Sequence, residues 1–202
     1  MPPKYKFTKK EITDAALEIT RAKGMSGLTA RSLAERLGCS VKPIFGLFQN
    51  MEEVQQAVLA AANELYQSYL RQDMSNGKYP PYKASGMAYI RFAKEEKELF
   101  KLLFMRDRSG ERIEENKKEI EPLLELIRKN TGLNEDTAYL LHLEMWLYVH
   151  GIAAMLATSY LDWDTEFISK ALTDGYNGLK YQFCGGEKNN GSDQDAGTDK
   201  KI

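Results

Sequence analysis

Cysteine, proline and histidine are scarce here: two Cys, six Pro and two His in 202 residues. Cys39 and Cys184 stand near opposite ends with no metal-ligand spacing, which argues against a disulfide scaffold and suits a reducing cytoplasm. No stretch approaches the run of about 18–20 apolar residues needed to span a bilayer, so no membrane partner is expected. The segment MPPKYKFTKKEI is positive but lacks an apolar h-region, so it does not read as a secretory signal. Alternating apolar runs of sheet length are missing too. There is no Gly-rich phosphate loop, nucleophile elbow or Cys/His cluster with metal spacing. His142, Glu144 and His150 are the one constellation worth testing for catalysis. Positions two apart on a helix point away from each other, and histidines eight apart lie two turns distant. No catalytic residue, metal or cofactor is therefore expected, and the chain does not read as an enzyme.

What is present is helical periodicity and a charge gradient. Residues 1–50 carry nine Lys and Arg against four Asp and Glu, a net of +5, and the rest carries 19 against 25, a net of −6. A basic end is the footprint of a nucleic-acid surface, although a chance imbalance would look the same. Thr8 with Glu11 forms a capping box, Phe7 against Ile12 a hydrophobic staple, and Gly24 a left-handed stop, which bracket a first helix carrying Ile12, Ala15, Ala16 and Ile19. Asn50 with Glu53 opens a long helix through Val54, Val58, Ala61, Leu65 and Tyr69, ended by the turn chemistry of residues 73–82. Helices follow from about Lys83 and over 98–105. The charged stretch 106–121 reads as a loop or solvated helix start, and Leu123 to Gly132 as one more helix and its end. Residues 135–159 are apolar on nearly every side, so that helix should be buried all round. A last helix covers 167–183, and residues 185–202 read as a disordered tail.

Residues 29–48 meet the demands of a helix-turn-helix together. Ala34 provides the small residue where two helices cross, and Gly38 the residue tolerant of positive φ. Leu33, Leu37, Ile44 and Leu47 provide a shared core. Thr29 and Ser40 are the expected caps, and Pro43 falls in the first turn of the second helix.

These residues carry a resemblance. The helix from Thr8, GMSGLTARSLAERLGCS and VKPIFGLFQNMEEV resemble the amino-terminal domain of TetR/AcrR regulators. MAYIRFAKEEKELFKLLFM and EMWLYVHGIAAMLATS resemble a carboxy-terminal ligand-binding domain found in part of that family, with Trp146, His150 and Gly151 at its Trp-His-Gly signature. The resemblance implies an all-α protein of about nine helices. A three-helix helix-turn-helix DNA-binding domain (1–50) would precede a ligand-binding and dimerisation domain (51–184), followed by the tail. The implied function is a cytoplasmic, dimeric repressor on a palindromic double-stranded DNA operator, released by a small molecule.

Residue by residue, the resemblance places Ser40, Val41, Lys42, Pro43, Phe45 and Gly46 on the recognition helix, with Lys42 as the hydrogen-bonding base reader. Thr29, Arg31 and Ser32 would face phosphates or bases, and Lys9 and Lys10 the backbone. Phe45, Leu47 and Met51 depart from the usual Tyr, His and Lys, and none of the three can hydrogen-bond a phosphate. Backbone amides at the starts of the recognition helix and the Asn50 helix could take over. The ligand cavity would be lined by Tyr89, Phe92, Phe100, Phe104, Met145, Trp146, His150 and Met155, suiting a small apolar or aromatic effector. The last two helices, the second bearing Phe167, Ile168, Ala171, Leu172, Tyr176 and Leu179, would build the homodimer. The competing expectation is a helical interaction module whose helix-turn-helix no longer reads DNA.

Overall fold

A computed structural model describes residues 7–107, 109 and 113–185, with backbone alone over 113–119. Among the described residues there are nine α-helices and no strand. They are α1 (Lys9–Lys23), α2 (Ala30–Leu37), α3 (Lys42–Phe45), α4 (Met51–Ser75), α5 (Pro81–Glu95), α6 (Lys97–Phe104), α7 (Ile113–Thr131), α8 (Glu135–Ala157) and α9 (Thr165–Gly185), plus a 3-10 turn at Met25–Gly27. The all-α expectation holds. The expected tail lies outside the described residues from 186 onward, and Gly185 itself closes α9.

Two compact units divide the chain: α1–α6 with residues 149–164, and α7 with residues 135–148 and α9. In the first, α1 starts where Thr8 and Glu11 satisfy each other's amides, at 2.7 Å and 3.2 Å. It stops at Gly24, whose φ of 70° and ψ of 176° are open to glycine, although the pair is not the left-handed helical one expected. Asn50 accepts from the Glu53 amide, but the Glu53 carboxylate reaches the Gln49 amide, so the expected box closes one residue early.

Ile12, Ala16, Leu28, Leu33, Ala34, Ile44, Phe48, Val54 and Val58 form one buried cluster that fastens α1–α3 to the start of α4. Burying such side chains contributes about 1.5–3 kcal/mol each for the larger ones, which is what holds so short a helix as α3 in place. At the other end of α1, Arg21 donates to the Glu96 carboxylate at 2.7 Å, which ties it to the α5–α6 junction.

The boundary between α4 and α5 differs from the turn expected over 73–82. Helix α4 runs on through Asp73, where the carboxylate meets Arg91 of α5 at 3.0 Å. Pro80 and Pro81 sit at the cap and first position of α5, where a missing N–H costs nothing. The charged stretch becomes helical from Ile113, and α7 continues through Pro122 despite one lost helical N–H.

In the second unit, Asn134 accepts from the Thr137 amide to open α8. Gly132, at φ 76°, closes α7, and Lys180 and Cys184 of α9 reach the carbonyls of Asn130 and Thr131. Helix α8 corrects one expectation: on length and composition alone it is apolar enough to cross a bilayer. The core helix of a globular protein passes the same test.

Candidate functional site

The helix-turn-helix forms as its residues require. Thr29 caps α2 by accepting from the Ser32 amide at 3.1 Å, and the Ser32 hydroxyl returns to the Thr29 amide at 2.9 Å. Sequence patterning missed this box because serine, not glutamate, stands three residues on. Gly38 then turns the chain at φ 62° and ψ 39°, and the Cys39 amide returns to the Ala34 carbonyl at 3.0 Å. Leu33 and Ile44 are fully buried, with Leu37 and Leu47 packed against the same cluster.

The expected Ser40 cap does not form. Val41 holds the cap position of α3 in helical conformation, without a side-chain hydrogen bond. The chain already turns helical at Val41, so Ser40 stands one residue too early to reach an amide of the first turn.

The basic residues divide into two sets. Lys9 is exposed but engaged, 2.7 Å from Glu53 and over the Phe48 ring at 4.9 Å. That ion pair, with the Gln49 amide, keeps the Glu53 carboxyl below its ordinary range. Lys10 pairs with Asp14 and Arg36 with Glu18. By contrast Arg31 and Lys42 are exposed, and among the described residues neither makes an ion pair. Thr29 and Ser32 spend their hydroxyls on each other and on the Gly27 carbonyl. Beside Lys42, Val41 and Phe45 are exposed, Pro43 is half-buried and Gly46 exposed.

The other cluster is a knot of rings within the first unit. Tyr89, Phe100 and Phe104 stack tilted or edge-on, with centroids 4.8–5.3 Å apart. Tyr66 of α4 joins Tyr89, Phe92 and Phe104 at 5.1–5.8 Å, and Tyr69 joins Phe92 at 5.3 Å. Tyr66 and Tyr69 are not among the cavity residues expected from sequence. Both lie on the α4 face continuing from Val58 and Ala62, a helical spacing that could have found them.

His150 enters the same knot. Its Nδ1 lies 2.8 Å from the Tyr89 hydroxyl, and burial holds its pKa below the ordinary value. In the neutral tautomer that carries its proton on Nε2, Nδ1 accepts from the phenol. A half-buried His between phenyl rings can thus offer one polar contact in an apolar surround. Met145 is buried, and Trp146 and Met155 are partly exposed.

The comparisons agree with this architecture. Residues 82–174 match the family described as tetracyclin repressor-like, C-terminal domain. The match covers a little under half of the chain and lies in its carboxy-terminal part. Among solved structures, a TetR-like regulator from Rhodococcus sp. RHA1 is similar at 12% identity and a TM-score of 0.61, covering 94% of this chain and all of that one. A TetR-family protein from Vibrio parahaemolyticus is similar at 16% identity and 0.58, covering 84% and 97%. A TetR variant from Acinetobacter baumannii AYE, in complex with minocycline, is similar at 22% identity and 0.50, covering 88% and 97%. No curated protein matches the sequence.

Proposed function

We propose that this chain is a TetR-family repressor that binds a palindromic duplex as a homodimer and is released by a small apolar or aromatic molecule. The observation that carries the DNA reading is the α2–Gly38–α3 turn, with Arg31 of α2 and Lys42 of α3 exposed and outside any ion pair among the described residues, while Lys9, Lys10 and Arg36 pair with carboxylates. Residues 1–50 supply the reader, and residues 51–184 supply the sensor and the dimer contacts.

Lys42 is the polar base reader, with guanine O6 and N7 its natural acceptors. Leu140, Leu143 and Leu147 share one face of α8 and leave large apolar side chains exposed, as Phe167 does on α9. That supports a second copy of the chain covering the last two helices. The effector reading rests on the ring knot of the first unit, with His150 as its polar contact. The similar protein from Acinetobacter baumannii is described in complex with minocycline.

The test uses full-length protein and a random-sequence duplex library, with anisotropy on the enriched duplexes across a salt series. Enrichment of inverted repeats and affinity falling steeply with salt are expected. A Lys42→Ala variant should lose about 1–3 kcal/mol of affinity and relax specificity at the base pair it contacts. Failure to enrich any duplex at low salt would sink the DNA reading and leave a helical interaction module.

A further inference from the structure

The exposed face of α3 is mostly apolar. Val41 is 39% exposed and Phe45 42%, and the Phe45 amide donates to the Val41 carbonyl at 3.3 Å. Residues four apart on one turn lie on the same face, so the two side chains form a single small patch. Neither belongs to the buried cluster, to which Ile44 and Phe48 contribute instead.

Gly46 adjoins the patch, with φ −77° and ψ −19°. Any residue adopts that conformation, so the backbone does not require glycine. Its missing side chain lowers the rim beside Phe45 and lets a flat partner approach the main chain closely. Lys42 on the same helix is an exposed cation, and residues 1–50 carry a net of +5. The charge fits a polyanion, and the patch fits an apolar group displayed by that polyanion.

We infer that Val41 and Phe45 read thymine 5-methyl groups in the major groove, by contact rather than by hydrogen bond. This rests on the DNA reading proposed above. Among the base-edge groups of that groove, the thymine methyl is the apolar one, and a Val or Phe contact distinguishes it from every other edge. The Phe45 ring cannot donate to a phosphate oxygen, so its exposure is explained by base contact and not by a backbone clamp. Specificity would then divide between one polar reader, Lys42, and one apolar pair.

The experiment takes the duplexes enriched by full-length protein and resynthesises them with deoxyuridine for thymidine, which removes the methyl and nothing else. Affinity should fall about tenfold for two lost methyl contacts, at about 0.8 kcal/mol each. The thymine-to-uracil ratio should shrink towards one in Val41→Ala, whose folding is checked by thermal unfolding because the side chain is exposed. Gly46→Ala should weaken binding without lowering the unfolding temperature. Equal affinity for thymine and uracil duplexes would overturn the inference and leave DNA binding intact. A uracil effect that persists undiminished in both Val41→Ala and Phe45→Ala would also overturn it, since the methyl would then be read elsewhere. If no duplex is enriched at all, both the reading and this inference fall.

Discussion

Helices α5 and α8 are both rich in large apolar residues, yet they spend them differently. Helix α5 buries Met87, Tyr89, Ile90 and Phe92 with Ala84, Ala88 and Ala93. Helix α8 buries Leu141, Met145, Val149, Ile152 and Leu156 but leaves Leu140, Leu143, Trp146, Leu147, Tyr148 and Met155 partly exposed. The contrast is between an apolar helix that buries its large side chains within its own chain and one that leaves many of them facing water. Composition alone does not separate them, because both sequences only say that water is to be avoided.

The largest effect that tests this contrast is expected on α5. Phe92→Ala should destabilise the chain by about 3–5 kcal/mol in denaturant unfolding, because the ring is fully buried among Tyr66 and Tyr69. A loss below about 1 kcal/mol would show that the knot can collapse around the gap.

Leu147→Glu on α8 should act on assembly instead. Leu147 is 58% exposed, so the folded chain tolerates the charge, while a two-fold interface would bury it twice. Sedimentation velocity should show a monomer, with unfolding of one chain changed by under about 0.5 kcal/mol. A dimer that survives the substitution would place the interface elsewhere.

A smaller effect is expected where the two helices meet in one hydrogen bond. Tyr89→Phe removes the donor to His150 Nδ1 and should cost about 1 kcal/mol. If the substitution changes nothing, the phenol contributes packing alone.

The smallest effect is in pH. His142 and His150 both have pKa values lowered by burial, so each is held neutral in the folded chain. The unfolded chain binds protons more readily, so stability is fully present above the ordinary histidine value and is lost as pH falls below about 6.5. The unfolding temperature should drop by a few degrees, about 2–4 °C, between pH 7 and pH 5.5, and less in His150→Phe. An unchanged slope in that variant would assign the effect to His142 or to carboxylates.

Much of the molecule was legible one residue at a time. Thr8 with Glu11, Gly38 and Asn50 are local signals whose hydrogen bonds or φ angles involve neighbours a few positions away, so pattern reading reaches them. The same reading placed the helix-turn-helix and its shared core, since Leu33 and Ile44 recur at helical spacing on short segments. It failed where the outcome depends on when the chain turns helical: Ser40 has a cap's chemistry, but Val41 is already helical and takes the position.

Tertiary structure decided the rest, because the groups that settle it are distant in sequence. Lys9 faces Glu53, 44 residues away, and is thereby spent on the fold. Tyr89 finds His150 across 61 positions, and Asp73 stays helical to meet Arg91. Residue type determined by itself that this chain is helical, basic at one end and built around a short second helix. Which cations remain exposed beside that helix, and which apolar side chains still face water, followed only from packing, since burial belongs to pairs of surfaces and not to single residues.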